Sequence, residues 1–87
     1  MTVLRQALEM QIAHNDPPEV ADTLERLRAQ GIAEREVWEL LGAASLIELE
    51  RSKAAARAFG RESYAATLRR LPSLDDDDWV WFNVAGV

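Results

Sequence analysis

The single histidine of the chain, His14, lies close in sequence to Asp16 and Glu19. An imidazole beside two carboxylates can hold a transition metal or exchange protons, so this set is the first candidate for chemistry. Three features favour a structural role instead. Asp16 and Glu19 have the spacing of a helix-capping box, His14 falls where a helix C-terminus attracts a cation, and no second histidine is present. We therefore predict no metal and no cofactor, and keep a metal-binding or regulatory role for these residues as the alternative.

Further carboxylates occur in two groups. Four glutamates of the third predicted helix lack the Glu-x-x-His pattern of metal-binding helical bundles, so we predict a solvated face for Glu36, Glu39, Glu48 and Glu50. The run Asp75 to Asp78 lacks the alternating ligands, the central glycine and the closing glutamate of a calcium-binding loop. We interpret it as a polar, solubilising hinge.

Nucleophilic and phosphate-binding motifs are missing from the sequence. The serines lie in helical or linker contexts without the strand-turn-helix elbow of hydrolases, and the glycines are isolated. Cysteine is absent, which excludes disulfides and thiol catalysis. We predict that the chain is not an enzyme and has no catalytic residue.

The segment around Gly31 is similar to a helix-turn-helix, in which a glycine turn leads into a DNA-reading helix. The reading positions would be Arg35 and Trp38 together with three glutamates, which repel phosphates. Ten basic against fifteen acidic residues give a net charge of −5, which disfavours nucleic acid and anionic membranes as partners. A helical hairpin joined by a glycine cap is the preferred interpretation, and DNA binding ranks last among the hypotheses.

The elements that position these residues follow from the apolar spacing, which predicts four helices at about 2–14, 17–30, 33–58 and 62–71. Prolines at 17, 18 and 72 and glycines at 31 and 60 separate them. The first and third helices are expected to pack along the second. The predicted core consists of Leu4, Leu8, Ile12, Val20, Leu24, Leu27, Val37, Leu40, Leu41, Ala44, Ile47, Tyr64, Leu68 and Leu71.

The composition changes after Pro72, which divides the chain into a helical domain over 1–72 and an acidic linker with an aromatic tail over 73–87. Residues 79–84 form a run rich in aromatic and β-branched side chains with period-two character, which is typical of an extended strand. A lone strand must dock on the helices, pair with a second chain or bind another protein. The predicted partner-binding residues are Trp79, Trp81, Phe82 and Val84.

The segments His14 to Ile32 and Phe59 to Pro72 carry a D-P-P-E-V box, a T-L-x-R-L run, a glycine and later Tyr64, Leu68 and Leu71. This pattern resembles a small helical domain of uncharacterised bacterial proteins. The resemblance implies a helical fold and no particular activity. Members often carry histidines after the glycine, where this chain has Arg35 and Glu39, so a metal role of relatives does not transfer.

The 87 residues are enough for one small domain, and the longest weakly polar run, of eight residues, is too short for a bilayer. Nine arginines to one lysine and fourteen alanines are typical of a GC-rich bacterial genome. We predict a cytoplasmic all-α protein, a small four-helix bundle-like domain with an extended acidic-aromatic C-terminal tail. The expected function is non-enzymatic protein–protein interaction, as a module or small subunit that binds a protein partner or itself, with a homodimer as the leading form.

Overall fold

The chain forms helices joined by short turns in the computed structural model, which describes the backbone of residues 2–84 and the side chains of residues 4–84. This part of the chain contains five helices and no strand: α1 (Thr2–Ala13), α2 (Pro18–Ala29), α3 (Glu34–Ala54), α4 (Arg61–Arg70) and α5 (Asp76–Val84). The radius of gyration is 12.1 Å. The predicted all-α class is confirmed, and the first four helices lie close to the predicted ranges.

A proline begins the second helix and a glycine follows it, as predicted, but the helix starts one residue later than expected. Pro18, rather than the predicted Pro17, is the first residue of α2, where its missing N–H costs nothing, and Gly31 follows the helix with a φ of 79°. The predicted capping role of Asp16 is wrong. No side chain caps α2, and the Asp16 carboxylate pairs with Arg61 of α4 instead.

The third helix is shorter than predicted, because it ends at Ala54 rather than near residue 58. Ala56 has a φ of 53°, and the Arg57 N–H donates to the carbonyl of Ser52 over 3.0 Å. These are the marks of a Schellman motif, in which a left-handed residue closes the helix. The sequence gives little warning of this end, because the left-handed position is occupied by alanine instead of glycine.

The core lies where α3 meets α1, α2 and α4. Most of the predicted core residues are buried, while Leu4, Ile12 and Leu40 pack against the core with partial exposure. Trp38, which we placed at a DNA-reading position, is a core residue with 8% exposure. Buried residues that the sequence did not indicate also include Ala43, Ala65, Thr23, Ser45, Glu48, Ser52, Thr67 and Asp78.

Helix packing follows the predicted arrangement for the first four helices. Both α1 and α3 contact α2, and α4 packs on α2 and α3. Arg26 of α2 fixes the end of α4 by donating to the carbonyls of Leu68 at 2.9 Å and Leu71 at 2.6 Å. Among the helices of the described residues, none combines the length and the apolar character needed to cross a bilayer.

The predicted extended tail is wrong, because residues 76–84 form the helix α5, which packs on α3. The intrinsic preferences of residues for strands differ by only about 1 kcal/mol over the whole propensity scale, so the packing of a helix can override the preference of aromatic and β-branched residues. The acidic run before the aromatic residues favours a helix start. Residues 85–87 of the predicted tail lie outside the described residues.

Candidate functional site

The helix α5 begins at a reciprocal pair of hydrogen bonds between Asp75 and Asp78. The Asp78 N–H donates to Asp75 Oδ1 over 2.9 Å, and the Asp75 N–H donates to Asp78 Oδ2 over 3.1 Å. This is a capping box, and it satisfies two N–H groups that a helix start leaves free. Asp76 and Asp77 add negative charge where the helix dipole favours it. The acidic run is therefore a helix start, and the predicted solubilising hinge is wrong.

The carboxylate of Asp78 is completely buried and joins α5 to two other helices. Its Oδ1 accepts hydrogen bonds from Arg70 at 2.6 Å and from Arg51 at 2.9 Å. Arg51 also donates to the exposed Asp77 over 2.6 Å. Burial opposes the ionisation of Asp78, but the bonds from Arg70, Arg51 and the Asp75 N–H outweigh it and lower the pKa of this carboxyl. We call Asp78 together with Arg51 and Arg70 the Asp78 cluster. It fixes the first turn of α5 to α3 and α4.

The predicted partner-binding residues all lie on α5, but on two sides of it. Trp79 is 44% exposed and Val84 is 59% exposed, whereas Trp81 and Phe82 are half-buried. The ring of Trp79 meets that of Phe82 edge to face, with centroids 5.6 Å apart. Val80, which the sequence reading left out, is 57% exposed.

The side of α5 that faces away from the body carries Asp76, Val80 and Asn83 in one stripe, since their spacing of four and three residues brings them to the same helix face. All three are exposed, while Asp78 on the opposite face is buried. Trp79 lies beside this stripe on one edge and Val84 on the other. We define the outer surface of α5 by these five exposed residues: Asp76, Trp79, Val80, Asn83 and Val84.

A second buried carboxylate, Glu48, joins α3 to the turn before α4. Glu48 Oε2 accepts hydrogen bonds from Arg57 at 2.7 Å, from Ser52 at 2.8 Å and from the Gly60 N–H at 2.8 Å. Its Oε1 is buried without a hydrogen-bond partner. Burial opposes ionisation, but the bonds from Arg57, Ser52 and the Gly60 N–H outweigh it and lower the pKa of Glu48 from 4.5 to about 2.

The prediction that Glu48 lies on a solvated face is therefore wrong. Glu48 follows Leu41 and Ala44 at helical spacing and precedes Ser52 by four residues, so it belongs to the buried stripe of α3. That spacing was the available signal. The Glu48 carboxylate links α3 to the turn at Gly60, and the Arg57 guanidinium neutralises its charge.

The residues considered for metal binding do not converge on one point. Asp16 pairs with Arg61, and Glu19 lies 3.4 Å from an Arg69 nitrogen. His14 is exposed at the end of α1. These carboxylates are thus engaged by arginines of α4.

Among the described residues, three carboxylates come within 4.8 Å of one another, those of Asp75, Asp77 and Asp78. Arg51 and Arg70 already neutralise the last two. The proximity of the three aspartates is explained by the helix cap and the ion pairs.

The side chains at the start of α3, where the helix-turn-helix hypothesis places the DNA-reading residues, contact neighbouring helices. Glu34 binds the guanidinium of Arg28 and accepts a hydrogen bond from the Trp38 indole at 3.2 Å. Arg5 of α1 lies over the Trp38 ring, 3.8 Å from its centroid. The start of α3 is therefore engaged with α1 and α2, and Trp38 is not free to read bases.

The buried hydroxyl groups form a short chain of hydrogen bonds in the core. The Ser45 hydroxyl and the Tyr64 hydroxyl lie 2.9 Å apart, and Tyr64 donates to Gln11 Oε1 over 2.9 Å. Ser45 is therefore the donor to Tyr64, since a phenol has only one proton. Burial raises the pKa of Tyr64. This chain ties α1 to α4 and contains no base that would activate a nucleophile.

Two shallow grooves meet at Arg61. One, of about 450 Å³, is lined by Glu19, Arg61, Glu62, Ala65 and Arg69. The other, of about 220 Å³, is lined by Gln11, Asp16, Pro17, Phe59, Arg61 and Tyr64. Both arginines of the larger groove are paired with carboxylates. The grooves offer neither an enclosed space nor an unpaired arginine for a small substrate.

Comparison of the sequence with protein-family models and with curated proteins, and of the structure with solved structures, gives no match. The resemblance to a small helical bacterial domain stays a prediction.

Proposed function

We propose that this chain is a non-enzymatic protein-interaction module that associates with a second copy of itself through the outer surface of α5. The observation that carries the proposal is the exposure of Trp79, Val80 and Val84, at 44%, 57% and 59%, on one short helix. Exposed apolar side chains that occur together mark interaction surfaces more often than scattered ones. Tryptophan in particular is enriched among the residues that dominate binding energy.

The anchoring of α5 supports this interpretation. The Asp78 cluster and the packing on α3 hold the helix in place, so its apolar residues are presented on a rigid element. A preorganised surface loses less conformational entropy on association than a free segment would. We therefore interpret α5 as a folded docking helix rather than as a linear motif.

The state of the buried ionisable groups supports a non-enzymatic role. Glu48, Asp78 and Tyr64 each bond within the fold, and each connects two or more elements. Perturbed pKa values also arise in structural ion pairs, and here the partners of the two carboxylates are arginines that join parts of the fold.

The expected association is weak. Three apolar side chains on each copy cover less than the roughly 800 Å² per partner of a standard interface. We expect a dissociation constant in the range of about 10 to 1,000 μM.

The test is sedimentation analysis over a concentration series up to about 1 mM, a range that covers this affinity. We expect the wild-type chain to move from its mass of 9.8 kDa to twice that value. The double variant Trp79→Ala with Val80→Ala is expected to stay monomeric. Met10→Ala, which removes an apolar side chain of similar exposure on α1, is the matched control and should dimerise like the wild type.

Circular dichroism of each variant shows whether the helices persist. A wild-type chain that keeps a single mass of 9.8 kDa over the whole series would overturn the proposal. So would a double variant that is fully helical and dimerises with unchanged affinity.

A further inference from the structure

We infer that two copies pair their α5 helices antiparallel, across a two-fold axis that passes close to Val80, so that Asn83 of each copy lies beside Asp76 of the other. This inference rests on the proposed function and specifies its geometry. It follows from the distribution of charge and of exposed residues along α5.

The charge on α5 is confined to one end. Asp76, Asp77 and Asp78 occupy the first turn, and residues 79–84 carry no charge. Asp77 and Asp78 are neutralised by Arg51 and Arg70, whereas Asp76 is exposed and has no ion pair among the described residues. Any pairing of two α5 helices must therefore accommodate one exposed, uncompensated carboxylate on each copy.

A parallel pair would bring Asp76 of one copy against Asp76 of the other. Like charges that face each other across a contact are destabilising. An antiparallel pair places these residues at opposite ends of the contact. With Asp76 opposite Asn83 of the other copy, the two Asp76 residues are seven residues apart along the helix, or about 10.5 Å, which exceeds the screening length of about 8 Å at physiological ionic strength.

The antiparallel pair also gives the exposed carboxylate a partner. Val80 lies four residues after Asp76 and three residues before Asn83, near the midpoint of the stripe. A two-fold axis near Val80 brings the Asn83 amide, which has two N–H donors, to the Asp76 carboxylate of the other copy. The apolar contact of Val80, Trp79 and Val84 then lies between two polar ends.

The net charge of −5 on each copy predicts the effect of salt on this pair. Screening weakens the repulsion between two acidic copies, so association should strengthen as salt is raised. A different protein with a basic rim would instead bind this acidic chain more weakly as salt is raised. Sedimentation of the wild-type chain alone at low and high salt measures the trend for self-association.

The register can be measured directly because the chain contains no cysteine. Single cysteines are introduced as Val80→Cys, Asp76→Cys and Asn83→Cys, and disulfide formation is followed under mild oxidation. Val80→Cys should form a linked dimer at least about tenfold faster than Met10→Cys, which reports random collisions. Asp76→Cys alone should link no faster than Met10→Cys, although the substitution removes the repelling charge.

The decisive sample is a mixture of Asp76→Cys with isotope-labelled Asn83→Cys. We expect mass spectrometry to show mainly the mixed 76–83 disulfide. Rapid self-linking of Asp76→Cys, with little mixed product, would show a parallel pair and overturn the inference while leaving dimerisation intact. A dimeric wild type in which none of the three α5 positions links faster than Met10→Cys would overturn it as well. A monomeric wild type would instead overturn the proposed function.

Discussion

The carboxylate of Asp78 lies 2.6 Å from the guanidinium of Arg70, eight positions earlier in the chain. The Asp78 side chain is completely buried. The short connection between α4 and α5 turns the chain back so that the pair can form. Arg51 of α3 binds the same carboxylate oxygen. One buried charge thus determines where α5 sits on the two preceding helices.

Substitution of Asp78 should weaken the docking of α5 and the stability of the whole domain. We expect Asp78→Asn to lower the free energy of unfolding by about 2 to 4 kcal/mol, because it leaves two arginines without their shared anion and disturbs the helix cap. The measurement is urea denaturation followed by circular dichroism. Asp76→Asn, which changes an exposed residue of the same turn, should stay within about 0.5 kcal/mol of the wild type. Equal stability of the two variants would contradict the assigned role of the Asp78 cluster.

The pKa of Glu48 predicts a loss of stability in acid. The folded-state pKa of about 2 lies below the ordinary value of 4.5, so the unfolded chain takes up this proton first as the pH falls. The contribution of Glu48 is complete above pH 4.5 and is lost as the pH approaches 2. Asp78, whose pKa is also lowered, acts in the same direction.

The variant Glu48→Gln isolates the contribution of Glu48. It should be less stable than the wild type by about 1 to 3 kcal/mol at neutral pH, because a charged acceptor of three hydrogen bonds is replaced by a neutral one. The difference should shrink between pH 4.5 and pH 2, as a pH series of denaturation curves would show. A difference that does not change with pH would mean that Glu48 has its ordinary pKa in the folded chain.

The hydroxyl of Tyr64 should contribute stability through its two hydrogen bonds. Tyr64→Phe keeps the ring but leaves the buried Ser45 hydroxyl and the Gln11 amide oxygen without this partner. We expect a loss of about 1 to 2 kcal/mol. Adding Ser45→Ala to the variant should recover part of the loss, because the unpaired hydroxyl is then removed. The double-mutant cycle in urea measures the coupling, and a coupling near zero would contradict the hydrogen-bond chain.

Two helices are followed by a residue in the left-handed conformation, a glycine in one case and an alanine in the other. Exchanging the two residue types should change the stability of the domain in opposite directions. Gly31 and Ala56 have φ values of 79° and 53°, and each closes a helix with the same pattern of backbone bonds. Gly31→Ala should cost about 1 kcal/mol, and Ala56→Gly should gain a similar amount, since alanine is strained in this conformation and glycine is not. Thermal denaturation of both variants provides the comparison. Shifts of the same sign would contradict the assigned conformations.

Local signals account for the parts of the fold that the sequence predicted correctly. Pro18 and Gly31 act through their own backbone geometry, so α2 could be bounded without knowledge of its neighbours. The apolar periodicity similarly identified most of the core. The two tryptophans near the C-terminus stand out in composition alone and drew attention to α5, but only Trp79 of the two lies on its outer surface, and the binding role stays a prediction.

The wrong predictions concern residues whose state depends on distant partners. Asp78 and Glu48 look like solvated acids until Arg70, Arg51 and Arg57 are placed beside them. The helical state of residues 76–84 similarly depends on the packing of α5 against α3. The spacing of Asp75 and Asp78, which form the capping box, was a local signal for a helix start that the prediction of an extended tail did not use.

The hydrogen bond from Tyr64 to Gln11 spans 53 positions of the chain. During synthesis the first helix therefore leaves the ribosome well before the residue that completes its contacts. Contacts between distant parts of a chain slow folding, because a long loop must close before they form. Because α1 packs on α2 and α3, its apolar side can be covered before α4 has been made, and the bond to Tyr64 is the contact of α1 that must wait for the later part of the chain.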